Sequence, residues 1–479
     1  MSFISFQFYI FLIISLFIFY IVPVKFRWIV LFIASFSFYF LIDKRAFAVF
    51  VLTSAVSYLL GLLIHKTSDN GKIKKTILWV SIIIIVFPLV YSKIIMSLIK
   101  GFFDKPSFFN FIAPVGLAFY TLQIIAYFVD IYKGKIDPEQ NILKYMLFIS
   151  YFPQIIQGPI PRYEQLGTSL FSEHRFNEEM FTKGFQLILW GFFLKLMIAD
   201  KAAVVVNTIF ETNNYVGLYY LVGILLYILQ LYTDFQGCVC IAQGVSALFG
   251  VEIIDNFKRP FFSKTTKEFW TRWHISLGAW LRDYIYFPLG GSRVGRIRKW
   301  LNLSAVFITS ALWHGFGLNY VVWGLLQVLY QAVGELTDKS RDIVLERLNV
   351  NGKFKIFIQI LFTNILFIFS VFFFKAKSVS ECLGMFKSMV TCYNPWIFFD
   401  NSLFDLGLSW KEMVVLILSA LILLCVSIMQ ECGIMLRNEI LKAPMLFRWV
   451  LYLFVIVTIV IYGTYGFGFN AQDFIYGGF

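Results

Sequence analysis

Long stretches without charged side chains recur along the chain, and their lengths suggest helices that cross a membrane. Residues 1–24 carry no charged side chain, and a helix needs about 20 residues to cross a hydrocarbon core about 30 Å thick. Further uncharged stretches of similar or slightly shorter length occur at 28–42, 46–64, 76–92, 106–129, 212–233, 356–374, 413–430 and 449–472. The pattern predicts an all-α, polytopic bundle of about ten to thirteen transmembrane helices.

Two further stretches are not simple membrane spans. Residues 184–199 can span if Lys195 faces protein or reaches the interface, because an ammonium group in lipid is costly. Residues 300–334 are uncharged but too long for one crossing. We therefore expect a break in this stretch, and Gly315 to Gly317 is the natural place for it.

The apolar segment 151–162 contains Pro153, Pro159 and Pro161, which are incompatible with a continuous helix. Non-helical backbone at membrane depth must be covered by protein or line a polar cavity. The sequence leaves two interpretations of segment 151–162 equally open. The segment is either re-entrant and lines an interior cavity, or it is an interfacial turn that ends a span.

Residues 265–289 mix aromatic and charged side chains. Large apolar side chains recur there at helical spacing, at Trp273, Leu277, Trp280 and Tyr284. Position along the chain favours an amphipathic helix in the cytoplasmic interface, with its tryptophans at the level of the headgroups. The alternative is a helix partly inside the bundle, with His274 turned inward.

Composition narrows the class of protein. Of the 479 residues, 59% are apolar and 14% are charged, whereas soluble domains have about 25% charged residues. These values exclude a soluble enzyme, a disordered chain and a collagenous fibre. The six cysteines are scattered and form no disulfide framework, so Cys238 and Cys240 are expected to be packing residues.

Basic residues predict the orientation. The loops at 25–27 and 66–75 are rich in lysine and arginine and fall on the same side, so both are predicted to be cytoplasmic, with the N-terminus outside. The net charge of +13 is assigned to such loops beside anionic lipid, and no nucleic-acid partner is expected. Residues 1–24 lack the features of a cleavable signal peptide. A single integral-membrane domain over residues 1–479 is therefore expected.

Among the four histidines, His314 is the strongest candidate for chemistry. It follows about 20 Å of helix from the basic edge at Lys299, which places it well inside the bilayer. An ionisable side chain at that depth indicates function, and a neutral imidazole there can take a proton from an attacking hydroxyl. The structural alternative is an imidazole that ties two helices together. His65 and His174 lie among charged residues and are expected to be solvated.

Other familiar site patterns do not occur in the sequence. It contains no zinc-ligand spacing, no phosphate-binding glycine loop and no G-x-S-x-G nucleophile motif, so no metal site is expected. Asp234, after a long uncharged stretch, is either a polar interior residue or the mark of a helix end.

Several of these segments, in the same order, resemble the signature blocks of the membrane-bound O-acyltransferase superfamily. The similarity is greatest to its bacterial alginate O-acetyltransferase branch, and the most specific blocks lie within residues 234–323. The matching blocks are PVGLAFYTLQ from Pro114, FPQIIQGPI from Phe152, DFQG from Asp234, NFKRP from Asn256, EFWTRWHISL from Glu268, WLRDYIYFPLGG from Trp280, LWHG from Leu312 and DFIY from Asp473.

The resemblance implies a helical bundle with re-entrant segments around a central polar tunnel. His314 takes the place of the superfamily's near-invariant histidine, as general base or orienting group, and His274 that of a second polar position that holds the donor carbonyl or the acceptor. The resemblance also implies tunnel or substrate positions at Trp313, Asn319, Asp234, Gln154, Gln157 and Asp283. It implies a basic mouth for a phosphate-bearing donor at Arg272, Arg282, Arg293, Arg296 and Arg298.

The implied activity is O-acyl transfer in a bacterial cytoplasmic membrane. An acyl group, acetyl in the first place, would pass from a cytoplasmic thioester to a hydroxyl of an extracytoplasmic polysaccharide or partner protein. The donor would be acetyl-CoA or an acyl carrier protein, with no bound cofactor, and the expected partner is an SGNH-hydrolase-like acetyltransferase. Two alternatives are D-alanyl transfer to teichoic acid from a carrier protein, and a multi-pass transporter, although paired half-repeats are not found.

Overall fold

The computed structural model describes residues 3–67, 71–92, 114–212, 214–347 and 351–465. Within these ranges the regular structure is helical, apart from one isolated antiparallel bridge between Phe257 and Trp273. The chain divides into two compact units. Parts of two predicted spans, at 106–113 and 466–472, and the DFIY block lie outside the described residues.

The first unit comprises residues 1–188, 238–254 and 473–479. Its helices, including one that runs on into the second unit, are α1 Phe6–Ile21, α2 Arg27–Ile42, α3 Lys44–Lys66, α4 Gly71–Val90, α5 Leu117–Tyr132, α6 Ile142–Ser150, α7 Phe152–Ile155, α8 Tyr163–Phe171 and α9 Glu178–Phe192.

The second unit comprises residues 189–237 and 255–472. After α9 the chain makes a π-helical turn, Phe193–Ala199, and a second such turn, Arg282–Tyr286, follows α13. The helices, of which α11 ends in the first unit, are α10 Asp200–Glu211, α11 Tyr219–Leu248, α12 Thr266–Arg272, α13 Ile275–Leu281, α14 Arg296–His314, α15 Leu318–Arg347, α16 Gly352–Lys375, α17 Val379–Thr391, α18 Trp410–Glu431, α19 Leu436–Lys442 and α20 Met445–Tyr462.

Among the described residues, seven helices are long and apolar enough to cross a membrane. They are Val24–Ile42, Lys44–Lys66, Gly71–Val90, Tyr219–Leu248, Gly352–Lys375, Trp410–Glu431 and Met445–Tyr462, and α1 and α5 are shorter apolar helices. Most of their apolar windows face outward: only 11% of that of α20 is buried, against 78% of that of α11. Outward apolar faces suit contact with hydrocarbon, and this arrangement confirms the predicted all-α, polytopic class.

The long uncharged stretch breaks where the glycines predict. Helix α14 ends at His314 and α15 begins at Leu318. A Cβ atom on Gly315 would come within 2.3 Å of the Tyr320 ring, so only glycine fits this close turn. The break makes His314 the last residue of its helix.

The proline-rich segment 151–162 is buried throughout. It contains only the short helix α7, and then continues without regular structure to Arg162. Gly116, with a φ of 74°, allows its backbone to approach this segment, since a Cβ there would lie 2.3 Å from the Ile155 carbonyl oxygen. The burial favours the re-entrant interpretation over an interfacial turn.

The prediction of one amphipathic helix over residues 265–289 is wrong. The segment folds as α12, α13 and a π-helical turn, and α12 and α13 are separated at Trp273 and His274. His274 adopts the left-handed conformation, with φ 47° and ψ 53°. The helical spacing of the aromatic residues did not reveal this break, because tertiary hydrogen bonds stabilise it.

In the first unit, helices α9 and α11 approach each other closely at two glycines. A Cβ atom on Gly244 would lie 2.5 Å from the Gly184 carbonyl oxygen, and a Cβ on Gly184 would lie 2.8 Å from that of Gly244. Small residues of this kind let helix backbones pack closely in a membrane.

We expect Gly244→Ala to lower the stability of the protein by about 1–3 kcal/mol, because the added methyl forces the two backbones apart. The measurement is the thermal unfolding midpoint in detergent. The matched control is Gly384→Ala in α17, where nothing lies within 4 Å of the added Cβ atom. An equal shift in the two variants would contradict the close packing.

Candidate active site

His314 lies at the C-terminal end of α14 and is 6% exposed. Three aromatic rings surround its imidazole. Their centroids lie 4.8 Å away for Trp313, 5.8 Å for Trp323 and 5.2 Å for Phe374. The end of the helix and the aromatic wall together hold the imidazole in a largely apolar setting.

His274 is also buried, at 4% exposed, in the gap between α12 and α13. Its ring meets the Phe235 ring edge-on at a centroid distance of 4.8 Å. Among the described residues, neither ring nitrogen of His274 has a hydrogen-bond partner. An unsatisfied polar group is costly to bury, so these ring nitrogens are available to a ligand, an ordered water or a reacting group. The left-handed backbone adds about 1–2 kcal/mol of local strain.

Trp313 brings the two imidazoles into one cluster. Its ring centroid lies 6.0 Å from that of His274 and 4.8 Å from that of His314. Trp313 is itself 7% exposed. The second unit thus contains two buried histidines that share one indole wall.

Asp234 lies within α11, so it does not mark a helix end. Its side chain is 2% exposed, and its Oδ1 accepts a hydrogen bond of 2.7 Å from Lys195 Nζ. The same ammonium group lies 2.9 Å from Asp200 Oδ1. Lys195 is 1% exposed and faces protein, which is one of the two arrangements that the sequence left open. Asp234 directly precedes Phe235, whose ring contacts His274, so this ion triad supports one wall of the site.

Asn319 is buried near the start of α15 and ties that helix to the end of α16. Its amide nitrogen donates to the carbonyl oxygens of Phe373 at 3.3 Å and Ala376 at 2.8 Å. Phe374, between these two acceptors, contacts the His314 ring. Asn319 therefore fixes one wall around His314.

Gln154 and Gln157 belong to the first unit and are buried, at 6% and 0% exposed. Within the described ranges, Nε2 and Oε1 of Gln157 have no hydrogen-bond partner, and Oε1 of Gln154 has none either. Gln154 lies in α7 and Gln157 in the turn that follows it, and their burial fits a polar lining within the first unit.

The basic residues predicted at the donor mouth fall into two groups. Arg272 is shared by two carboxylates, at 2.7 Å from Glu268 Oε1 and 3.1 Å from Glu431 Oε1. Arg282 lies 3.2 Å from Asp283, which is partly exposed in the π-helical turn rather than buried. The remaining three are exposed at the start of α14, namely Arg293, Arg296 and Arg298. Those three are best placed to meet a phosphate group.

The expectation that His174 is solvated is wrong. His174 is 4% exposed, and its ring nitrogens lie 3.1 Å from the Gly250 carbonyl oxygen and 3.2 Å from that of Leu170. Arg27 donates to the His174 carbonyl. Burial lowers the pKa of His174, and its two carbonyl contacts make it a structural residue. His65 is exposed, as expected.

Several residues that form the site were not predicted from the sequence. Lys195 and Asp200 were not recognised as partners of Asp234, although a lysine inside an apolar stretch was a signal. Phe235, Trp323 and Phe374 carried no signal, because aromatic residues are frequent throughout the chain. Among the described residues no group of acidic, cysteine and histidine side chains can hold a metal ion.

Comparison with known proteins identifies the family. The family model described as MBOAT, membrane-bound O-acyltransferase family, matches residues 139–376, which contain every candidate residue above. The chain is 31% identical over 333 residues to the probable alginate O-acetylase of Pseudomonas putida, covering 68% of each protein. It is 29% identical over 409 residues to the peptidoglycan O-acetyltransferase of Helicobacter pylori, covering 76% of this chain and 73% of the relative.

A shorter part of this chain is similar to the teichoic acid D-alanyltransferase of Bacillus subtilis. It is 29% identical over 230 residues and covers 45% of this chain and 57% of the relative. Against two other Pseudomonas alginate O-acetylases, the chain spans 64% of the relative's length. The chain belongs to the membrane-bound O-acyltransferase family. It is a multi-pass membrane protein.

Proposed function

We propose that this protein is a membrane-embedded O-acyltransferase that moves an acetyl group from a cytoplasmic thioester to a hydroxyl on the outer side of a bacterial cytoplasmic membrane. The observation that carries the proposal is the pair of buried imidazoles, His274 and His314, on either side of Trp313. Family membership gives this pair its chemical context.

In the proposed reaction His314 is the general base. The neutral imidazole takes the proton of the acceptor hydroxyl as its oxygen attacks the thioester carbonyl. A C–O bond forms and the C–S bond breaks, and the leaving thiolate takes the proton back from His314 to become a thiol, which returns the imidazole to its neutral form. His274 orients the donor carbonyl or the acceptor through its unpartnered ring nitrogens.

The donor is proposed to enter from the cytoplasm. Arg293, Arg296 and Arg298 give an exposed cationic start to α14, which suits the phosphates of acetyl-CoA or of a carrier's phosphopantetheine. From the excess of basic residues in their sequences, the loops at 25–27 and 66–75 are also proposed to be cytoplasmic, with the N-terminus outside. The acceptor is an envelope glycan or a serine of an extracytoplasmic SGNH-hydrolase-like partner.

We prefer acetyl transfer to D-alanyl transfer because the O-acetylating relatives align with more of this chain than the D-alanyltransferase does. The alignments with O-acetylating relatives cover 68% and 76% of this chain, whereas the D-alanyltransferase alignment covers 45%. D-alanyl transfer is kept as the second candidate because that alignment is also with a member of the family.

The test is mass spectrometry of alkali-labile esters on envelope polymers from cells with and without the gene. We expect an acetyl ester to disappear with the gene and to return with the wild-type copy. Loss of a D-alanyl ester instead would favour the second candidate, and unchanged esters of both kinds would contradict acyl transfer to the envelope.

A further inference from the structure

Trp273 and His274 connect α12 to α13, and a short antiparallel pairing with residues 257 and 258 holds this connection. Phe257 and Trp273 form an antiparallel bridge, and the Lys258 N–H donates to the Arg272 carbonyl at 2.9 Å. The bridge ends at His274, where the chain enters the left-handed conformation. The backbone of His274 is therefore held on its N-terminal side by a distant segment of the chain.

Asn256 holds the C-terminal side of His274 with three hydrogen bonds. Its carbonyl oxygen accepts from the Ile275 N–H at 2.9 Å. Its side-chain Oδ1 accepts from the Ser276 N–H at 3.0 Å and from the Ser276 hydroxyl at 2.9 Å. Asn256 is fully buried, and the bond from a main-chain N–H fixes which end of its amide is the oxygen.

These bonds replace the cap that a helix normally takes from its own N-cap residue. His274 is the N-cap of α13, a position whose side chain usually accepts from the N–H of the second or third helical residue, here Ser276 or Leu277. The His274 side chain makes no such bond. Oδ1 of Asn256 satisfies the N–H of Ser276 in its place, so the imidazole is released from capping.

We propose that Asn256 is a positioning residue for His274: by capping α13 from outside and holding His274 left-handed, it directs a free imidazole against Phe235 and Trp313. This inference rests on the proposed function for the role of His274 in acyl transfer. Asn256 itself does not touch the reacting atoms in this account. It acts only through the backbone and ring orientation of His274.

A double-mutant cycle in purified, reconstituted protein separates positioning from general stabilisation. We expect Asn256→Ala to lower kcat on the order of tenfold to a hundredfold with an almost unchanged KM for acetyl-CoA, as a displaced orienting group does. In a chain that already carries His274→Ala, the same change should have no further effect on kcat. A full additional loss in that background would overturn the proposal.

The milder variant Ser276→Ala covers the case in which Asn256→Ala does not fold. It removes one of the two bonds to Oδ1 and keeps the backbone bonds. We expect a smaller loss of kcat that again disappears in the His274→Ala background. A loss that persists there would count against positioning.

A second measurement, by NMR, tests the positioning of His274 without depending on acyl transfer. In protein with isotope-labelled histidine, the NMR signal of His274 is assigned by its absence in His274→Ala. We expect Asn256→Ala to shift that signal and to leave the signal of exposed His65 in place. An unmoved His274 signal would overturn the proposal even if the protein proves to be active, and a shifted one supports it even if the acetyl donor is wrong.

Asn394→Ala is the matched control for both the kinetic and the NMR measurement. Asn394 is buried in the same unit, and its Oδ1 accepts a 2.7 Å bond from the Leu218 N–H, far from His274 in sequence. It should lower stability as Asn256→Ala does, while leaving the His274 signal unmoved. A shift of that signal in the control as well would make the effect structural and contradict the positioning role.

Discussion

Replacing His314 by glutamine is expected to lower acyl transfer by about 10²–10⁴-fold, the range that a positioned general base contributes. Glutamine fills much of the same space against Trp323 and Phe374 but cannot accept the proton as an imidazole does. The packing at the end of α14 should therefore survive while the chemistry is lost.

The measurement is the amount of envelope O-acetyl ester in cells that carry the variant at the same membrane protein level as the wild type. His65→Gln, at an exposed histidine, is the matched control and should leave the ester unchanged. Undiminished ester in His314→Gln would show that the imidazole is not the base.

Replacing Lys195 by methionine is expected to destabilise the second unit by about 3–5 kcal/mol, as removal of one partner of a buried ion pair does. The change removes the cation that lies between the carboxylates of Asp200 and Asp234, which are 9% and 2% exposed. Because Asp234 precedes Phe235, we also expect transfer activity to fall with the wall beside His274.

The measurement is the thermal unfolding midpoint in detergent, with two comparisons. Lys183→Met removes an exposed pair with Glu179 and should cost about 0–1 kcal/mol. Adding Asp200→Asn and Asp234→Asn to Lys195→Met should recover much of the loss, because neutral groups replace the unbalanced charges. No difference between Lys195→Met and Lys183→Met would contradict a triad that supports the site.

Local physical chemistry explains what the sequence predicted correctly. The break at Gly315 to Gly317 follows from the length of the uncharged stretch and from its glycines. The cost of an ammonium in lipid limited Lys195 to two arrangements, facing protein or reaching the interface, and the structure has the first. The burial of His314 agrees with its depth as counted from the basic edge of one helix, while its chemical role stays a prediction. These inferences needed only the chain on either side of each residue.

The features that the sequence missed depend on distant partners. The spacing of Trp273 and Trp280 is helical, yet the backbone breaks at His274 because Asn256 supplies the cap for the next helix. His174 lies among charged neighbours in the sequence but is buried through contacts with Gly250 and Arg27. Neither contact can be read from local pattern, because both join segments far apart along the chain.

In the proposed reaction an acyl group passes from a thioester to a hydroxyl beside His314 and His274. The most direct test of this reaction is purified protein in sealed proteoliposomes, supplied with radiolabelled acetyl-CoA on one face and an envelope glycan on the other. We predict equal amounts of free thiol and alkali-labile labelled ester from the wild type, and neither above background from His314→Gln. Labelled ester formed equally by both proteins would contradict the account.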